Sequence, residues 1–350
     1  MSQSDPTMLY SIFSVQDHYP PQKYPDHDRD VAGLYQEVVR QAQLADELGY
    51  DTFFVAEHHF HEYGAVPNPA VMIAHLAART KRIRLGSAIS ILTFHNPLTV
   101  AENYAMADVL SDGRLFMGVG SGYLKHEFEG YGIDGAEKRD RFDENLEVVT
   151  RLLAGERVTH NGRYAQVDGV QLNVTPVQDP LPPIGVAVLR REAAYHVGRK
   201  GHNIVSVPYA TADRWDEVEG IVEDFRQGRE EAGKPVHPGD AVFAFHTHVA
   251  ESDEAARRNA EKPFDLYVDT RLYAKSQTYD DILESGLALF GSVDTVADKM
   301  VQLHDWGIRH VMTLHNFGHM PEQTVHQSMR MLAEEVMPRV RKRIAERSAA

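Results

Sequence analysis

Residues 82–122 of the chain read RIRLGSAISILTFHNPLTVAENYAMADVLSDGRLFMGVGSG, with an apolar run on either side of a helical segment. The runs at 82–90 and 115–122 predict buried strands, and the apolar spacing over 97–110 predicts a helix. Both strands are apolar on each face, which is typical of parallel strands covered on both sides by helices. The segment therefore favours an α/β fold built from strand–helix units.

The same alternation continues in both directions along the chain. Further strands are predicted at residues 8–15, 51–60, 183–189, 203–208, 241–249 and 310–315. Further helices are predicted at residues 31–49, 69–79, 139–155, 191–200, 213–232, 252–262, 294–306 and 321–345. Eight strands, each followed by a helix, match the (β/α)8 TIM barrel. A doubly wound open sheet with a second small domain is the alternative. Because no Pro/Gly/Ser-rich linker divides residues 1–350, we expect a single domain.

Two insertions account for the length beyond a minimal barrel. The first covers about 123–182, after strand 4, where residues 123–138 are predicted as a loop and 156–182 as an inserted hairpin and linker. The second covers 263–291, near strand 7, and fits no strand–helix unit. Long insertions of this kind can form a lid over a site at the mouth of a barrel.

Composition and charge narrow the class of protein. Hydrophobic residues make up 43% and charged residues 25% of the 350 residues, which excludes a disordered or fibrous chain. The 51 acidic and 36 basic residues give a formal charge of −15, which disfavours binding to nucleic acid and to anionic membranes. The absence of cysteine excludes disulfides, zinc–thiolate sites, iron–sulfur clusters and cysteine nucleophiles. The chain has no signal-peptide pattern and no apolar run of about 18 residues, so we expect a soluble cytoplasmic protein with no membrane partner.

The segment AEHHFHE, residues 56–62, ends the second predicted strand, and barrel enzymes carry their chemistry at that end of their strands. Its three histidines and two glutamates suggest a metal site. Successive side chains of a strand face opposite sides, however, so His58 and His59 would not share one ion. The spacing also differs from the helical HExxH motif. The remaining alternatives are solvated loop histidines, or one imidazole, His58, that faces the pocket as an acid, a base or a hydrogen-bond donor.

Two further segments lie at predicted strand ends. GVGSG, residues 118–122, ends strand 4, and its glycines allow close approach of a ligand, although a tight barrel turn would need them too. Its GxGxG spacing does not match the GxGxxG fingerprint of Rossmann folds. LRREAA, residues 189–194, begins a helix after strand 5, so its free N–H groups and two arginines suit a phosphate. A solvated basic turn is the alternative for that segment.

Five stretches of the chain, taken in order, carry a resemblance to a known family. They are LADELGYDTFFVAEHHF (44–60), PNPAVMIAHLAARTKRIRLGSAIS (67–90), HNPLTVAENYAMADVLSDGRLFMGVGSGY (95–123), EF (127–128) and RFDENLEVV (141–149). In this order they resemble the bacterial-luciferase-like superfamily of flavin-dependent oxidoreductases. The resemblance covers nearly the whole chain, is strongest over residues 40–125, and is specific for the superfamily but for none of its substrates.

The resemblance implies a (β/α)8 barrel that binds a flavin, usually reduced FMN, at the carboxyl ends of its strands. His58 matches the functional histidine of the family and follows Glu57, so both are candidate catalytic residues. Ala88–Ile89 matches a non-proline cis peptide on which the flavin ring rests. The candidate flavin contacts are Ala88, Ile89, Gly120, Ser121, Gly122 and Tyr123 around the ring, and Leu189, Arg190, Arg191 and Ala193 at the phosphate.

One position departs from the family pattern. Relatives often carry an arginine, which reaches the flavin phosphate, where this chain has Ser121. A neutral hydroxyl cannot supply that charge, so we expect Arg190 or Arg191 to supply it. The departure leaves two cofactors open. They are reduced FMN and the 8-hydroxy-5-deazaflavin of some relatives, which transfers hydride and does not activate oxygen.

The resemblance therefore predicts a flavin-dependent monooxygenase that uses reduced FMN and oxygen on a small organic substrate, with no bound metal. A separate flavin reductase would supply the reduced FMN. Relatives are commonly dimers, so we expect a homodimer. The alternatives are a deazaflavin-dependent hydride-transfer oxidoreductase, a metal-dependent barrel lyase or isomerase that uses the histidine cluster, and a flavin-binding protein without enzymatic activity.

Overall fold

The computed structural model describes residues 8–271 and 277–349, over which strands and helices alternate. The strands are β1 (Leu9–Ser14), β2 (Thr52–Val55), β3 (Arg84–Ile91), β4 (Leu115–Gly120), β5 (Val158–Asn161), β6 (Gln166–Val170), β7 (Ile184–Val188), β8 (Asn203–Ser206), β9 (Ala241–Ala250), β10 (Leu289–Ser292) and β11 (His310–Leu314). The helices are α1 (Val31–Leu48), α2 (Pro69–Ala77), α3 (Pro97–Leu110), α4 (Lys125–Tyr131), α5 (Lys138–Leu153), α6 (Arg191–Lys200), α7 (Pro208–Thr211), α8 (Val218–Glu231), α9 (Asp253–Asp269), α10 (Tyr279–Glu284), α11 (Val293–Asp305), α12 (Glu322–Met331) and α13 (Met337–Ala349).

Eight of these strands form a closed parallel ring in the order β1, β2, β3, β4, β7, β8, β9 and β11. The ring closes where β11 pairs with β1, with Leu9 opposite His310 and Ile12 opposite Thr313. Each strand of the ring overlaps one of the eight predicted strands. The predicted (β/α)8 barrel is therefore confirmed.

Local sequence sets where the early helices begin and end. The side chains of Asn68 and Asn96 accept hydrogen bonds from the first turns of α2 and α3, and a proline occupies the first helical position after each. Gly49 ends α1 with a φ of 78°, a conformation that glycine adopts without strain. The NP and HNPL motifs therefore mark helix starts.

Side chains fill the ring near the amino ends of its strands. The Oγ atom of Ser11 lies 2.6 Å from Nε2 of His310, and the rings of Phe54 and Phe116 meet edge to face at 5.3 Å. All four side chains are buried. This end of the barrel is a packed core, so within the ring a ligand finds room at the carboxyl ends of the strands.

The third and fourth strands approach each other unusually closely. An added Cβ at Gly118 would lie 2.1 Å from the carbonyl oxygen of Ser87, so only glycine fits there. The pairing of β3 with β4 shifts register between Ser87 and Ser90. Between those two residues, the peptide bond from Ala88 to Ile89 is cis, as the resemblance implies.

The two insertions contain more regular structure than the sequence predicts. The loop prediction for residues 123–138 is wrong, because that segment contains α4 and a short 3-10 helix at Gly135–Glu137. The predicted hairpin is confirmed, since β5 and β6 pair antiparallel. In the second insertion, α9 continues through Pro263 to Asp269 because Phe264 and Tyr267 carry its buried face onward.

The rest of the second insertion adds one short helix and one strand to the barrel. Strand β10 pairs with the last four residues of β9, beyond the part of β9 that belongs to the ring. Residues 272–276, which also fall in this predicted insertion, lie outside the described residues. Within the described ranges, no helix combines the length and apolar character needed to cross a membrane.

Candidate active site

A cavity of about 460 Å³ opens at the carboxyl ends of the barrel strands. All but one of the predicted site residues line it: Glu57, His58, Ala88, Ile89, Gly120, Ser121, Gly122, Tyr123, Leu189, Arg190 and Ala193. Residues that the sequence analysis did not name complete the wall, among them Phe13, Tyr63, Lys138, Arg139, Tyr209 and Met312. The structure therefore brings four separate segments of the sequence to one space.

His58 lies beyond the end of β2 and is 8% exposed. Its ring packs edge to face on Tyr63 at 4.4 Å, and an added Cβ at Gly64 would come within 2.8 Å of its Cδ2 atom. Its Nδ1 atom lies 3.2 Å from Oε1 of Glu127. Because that carboxylate can only accept, Nδ1 carries the proton, and Nε2 is the nitrogen left for a ligand.

Burial and Glu127 shift the pKa of His58 in opposite directions. Burial lowers the pKa of His58, and the hydrogen bond to Glu127 raises it by a smaller amount, so the imidazole is largely neutral at pH 7. Glu127 is almost fully buried on α4, and the same oxygen accepts from the backbone N–H of His59 at 3.0 Å. The carboxylate therefore fixes both the tautomer of His58 and the path of the chain beside it.

Glu57 lies at the centre of a second buried network. Its Oε1 atom lies 2.6 Å from Nε2 of His95 and 3.0 Å from Nε2 of His59. Its Oε2 atom accepts from the Ser90 hydroxyl and from the backbone N–H of Ile91, both at 3.1 Å. The carboxylate therefore ties the end of β2 to the end of β3, next to the cis peptide.

The same network explains two opposite pKa shifts. Burial alone would raise the pKa of Glu57, but hydrogen bonds from His59 and His95 outweigh it and lower that pKa to about 2. Burial alone would lower the pKa of His95, but its bond to Glu57 outweighs it and raises that pKa. The Glu57–His95 contact is a charge-assisted hydrogen bond.

Glu57, His59 and His95 are also the one set among the described residues whose ligand atoms could surround a metal ion, since those atoms lie within 4.8 Å of one another. The strand argument against a metal does not apply here, because β2 ends at Val55 and not at the predicted residue 60. The N–O distances of 2.6 and 3.0 Å are those of hydrogen bonds, which satisfy the three groups without an ion. The absence of a metal stays a prediction.

The glycines of strand 4 keep the cavity open. An added Cβ at Gly120 would lie 2.6 Å from Cδ1 of Ile89 and 3.3 Å from Cβ of Ala187. Any larger residue would thus fill the floor of the cavity beside the cis peptide. Gly122 has a φ of 75°, where other residues are strained.

The two predicted arginines point in different directions. Arg190 is the extended residue that precedes α6, and it lines the cavity. Arg191 is the first helical residue, and its guanidinium pairs with both carboxylate oxygens of Asp224 at 2.7 and 3.0 Å. Arg191 does not line the cavity, because the chain turns into the helix between the two residues.

Lys138 and Arg139 bring two further cationic side chains to the cavity, at the start of α5. Neither residue was predicted as a site residue, because residue 138 was placed in a loop and Arg139 begins a predicted helix that follows that loop and not a strand. Basic residues at a helix start, part of the signal that identified Arg190, were present here as well, because Arg139 begins the helix predicted at residues 139–155.

Comparison with known proteins identifies the family. The model of luciferase-like monooxygenases matches residues 12–310 of the chain. The chain is 31% identical to the oxygenase component of flavin-dependent trigonelline monooxygenase from Acinetobacter baylyi, over 64% of this chain and 62% of that protein. It is 26% identical to F420-dependent glucose-6-phosphate dehydrogenase from Microbacterium testaceum, over 86% of this chain and 92% of that protein.

A solved structure agrees with both the fold and the family. The crystal structure of monooxygenase RslO1 from Streptomyces bottropensis matches with a TM-score of 0.87 at 30% identity, covering 95% of this chain and 99% of that one. The family model alone spans well over half of the sequence. The chain therefore belongs to the luciferase-like monooxygenase family.

Proposed function

We propose that this protein is the oxygenase of a two-component flavin-dependent monooxygenase, which uses reduced FMN from a separate reductase, together with oxygen, to oxidise a small organic substrate. The observation that carries the proposal is the cavity, where an apolar floor, a buried neutral histidine and three cationic side chains line one space. Similarity to the oxygenase component of trigonelline monooxygenase supports both the flavin and the second component.

The residues present suit a flavin in shape and in charge. Ala88, Ile89 and Gly120 form an apolar floor that a larger residue at 120 would fill, which fits a planar ring. Lys138, Arg139 and Arg190 are the cationic residues of the cavity, and they would hold the phosphate in place of the arginine that relatives carry at Ser121. A volume of about 460 Å³ lies within the range of ligand pockets.

When bound, the reduced flavin supplies the activation of oxygen and the transfer of one oxygen atom to the substrate. His58 presents Nε2 to the cavity, because its Nδ1–H donates to Glu127. A neutral imidazole can take a proton at that atom and return it during the reaction. Apolar side chains such as Phe13 and Met312 exclude water from the same space.

We assign Glu57 a role other than the catalytic one that its place in the motif suggests. Both of its carboxylate oxygens are held by histidines, a hydroxyl and a backbone N–H. We therefore assign Glu57 as a positioning residue that holds the ends of β2 and β3 together, and His58 as the group that touches flavin or substrate.

Hydride transfer through a deazaflavin is the second candidate, and the similarity to an F420-dependent glucose-6-phosphate dehydrogenase favours it. The same cavity would then hold the deazaflavin, and no oxygen would be consumed. The two candidates differ in which reduced cofactor binds and in whether oxygen disappears.

Anaerobic titration with reduced FMN and with the reduced deazaflavin, followed by admission of air and measurement of oxygen uptake, tests the proposal. We expect FMN to bind and oxygen to be consumed. Binding of the deazaflavin alone, without oxygen uptake, would support the second candidate and contradict the first. Elemental analysis of the purified protein tests the predicted absence of a metal.

The phosphate assignment has a matched pair of variants. Arg190→Ala should weaken FMN binding by about 1–3 kcal/mol, as expected when a charge-assisted hydrogen bond is lost. Arg191→Ala should leave it unchanged, since Arg191 pairs with Asp224 outside the cavity. Riboflavin, which lacks the phosphate, should bind all three proteins equally. Equal FMN affinity of Arg190→Ala and wild type would show that Arg190 does not hold the phosphate.

A further inference from the structure

Arg271, which follows α9, lies among three tyrosines from separate parts of the barrel. Its Nη2 atom is 3.0 Å from the hydroxyl oxygen of Tyr63, 2.7 Å from that of Tyr209 and 2.6 Å from that of Tyr267. Its Cζ atom lies 5.5, 4.6 and 4.2 Å from the three ring centroids, in the same order. We call Tyr63, Tyr209 and Tyr267 the tyrosine cluster.

The tyrosine cluster connects this cation to the flavin cavity. Tyr63 and Tyr209 line the cavity, and Tyr63 packs on the ring of His58. A phenol oxygen that accepts from a guanidinium becomes a stronger donor through its own hydrogen. The wall of the cavity beside His58 is therefore suited to bind an oxygen that carries negative charge.

His246, which lies behind the tyrosine cluster, adds no positive charge to that of Arg271. The imidazole is buried in the middle of β9 and packs on Tyr209 at 4.5 Å and on Tyr267 at 5.2 Å. Burial, and then the charge of Arg271, lower the pKa of His246 well below its ordinary value. His246 therefore stays neutral behind the tyrosine cluster.

The position of Arg271 also disfavours one class of ligand. Several aromatic rings around one point form a site that attracts cations such as quaternary ammonium groups. Here the guanidinium already occupies that position, so a second cation would meet a like charge. The carboxylate of Glu57, which also lines the cavity, already accepts hydrogen bonds from His59 and His95.

We propose that the cavity selects substrates with an anionic oxygen, as in a carboxylate or an ionised enol or phenol, which the hydroxyls of Tyr63 and Tyr209 bind with the support of Arg271. This inference rests on the proposed function, because it names the class of substrate for the same site. It also predicts that cationic aromatic compounds without an anionic oxygen are excluded.

Equilibrium dialysis with four aromatic probes of similar size tests the inference without turnover. The probes are benzoate and 4-nitrophenolate as anions, benzamide as the neutral compound and benzyltrimethylammonium as the cation, each with and without oxidised FMN. We expect one or both anions to bind at least about 10-fold more tightly than benzamide, the size of effect that a charge-assisted hydrogen bond gives. The cation should bind more weakly than benzamide. Equal binding of both anions and benzamide would overturn the inference.

Three variants separate recognition from packing. Arg271→Gln should weaken binding of the preferred anion by about 10-fold or more and change benzamide binding by less than about 2-fold. Tyr209→Phe keeps the ring and removes one hydroxyl, and it should weaken anion binding by about 5-fold, as one lost hydrogen bond does. Arg258→Gln removes an exposed cation from α9, the helix that precedes Arg271, and should change neither anion binding nor benzamide binding. If Arg271→Gln and Tyr209→Phe both bind the anion as tightly as the wild type does, the inference is overturned.

The outcome for flavin is read separately in the same samples. If FMN fails to bind while an anion binds preferentially, the proposed function is contradicted and the anion selectivity of the cavity stands. If FMN binds and the anions show no preference, the proposed function stands and the substrate class is wrong.

Discussion

His58 is the residue from which the proposed chemistry can be tested most directly. His58→Ala should lower coupled substrate oxidation by about 100-fold or more, in the range of a lost general acid or base. FMN binding should persist, because the apolar floor and the cationic residues remain. Measuring product and released hydrogen peroxide together checks this, with His61→Ala as a control outside the cavity lining. Unchanged coupling in His58→Ala would remove His58 from the mechanism.

Glu127 should control the protonation of His58. Burial lowers the pKa of His58, and the carboxylate of Glu127 raises it, so Glu127→Gln should lower that pKa further. Neutral His58 would then persist to more acidic pH. An NMR titration of labelled histidine, with His58→Ala used to assign the signal, measures the shift. Glu129→Gln, an exposed position on the same helix, is the matched control. An unchanged titration of His58 in Glu127→Gln would contradict the assigned contact.

The sequence predicted well which segments reach the site. It predicted less well which of their side chains point into it. The EHHF motif identified His58, because its place at a strand end and its chemistry agree. The sequence could not show which of Arg190 and Arg191 lines the cavity, since the directions of their side chains depend on the residue at which α6 begins. Arg271 and Tyr209 carry no local motif, and only the closure of the barrel brings them beside Tyr63.

The contact between β3 and β4 gives a test at the scale of secondary structure. Gly118→Ala would place a methyl group 2.1 Å from the Ser87 carbonyl oxygen, so the strands must separate. We expect a loss of about 1–3 kcal/mol in the free energy of unfolding, as for other overpacked sites. Gly135→Ala, where nothing lies within 4 Å, should change stability little. Urea denaturation of the two variants measures the difference, and equal stabilities would contradict the close approach.

Elements were predictable where a pattern was local and continuous. The eight barrel strands and the NP helix starts follow from apolar runs and capping residues. Helix α4 was not predictable in this way, since it has seven residues and only Glu127 and Phe128 are buried. Helix α9 was predicted too short because Pro263 suggests a helix end, whereas the buried Phe264 and Tyr267 continue it.

At the scale of the whole molecule, we propose that the chain is one barrel domain that forms a homodimer through α2 and α3. These helices pack side by side and expose Val71, Met106 and Leu110, which are 67%, 51% and 53% exposed. The double variant M106E/L110E should sediment as a monomer where the wild type sediments as a dimer. Val236→Glu, an exposed apolar position between α8 and β9, should leave the assembly unchanged. A wild-type monomer, or a dimer that survives the double variant, would contradict this interface.

The pairing of β1 with β11 has a consequence for the order of events in the cell. Residues 9–12 pair with residues 310–313, so translation must pass residue 313 before the ring can close. Until then any sheet that β1 and the strands after it have formed keeps a free edge, which can pair with other nascent chains. Production of this protein should therefore depend on how fast translation finishes and on chaperones that shield that edge.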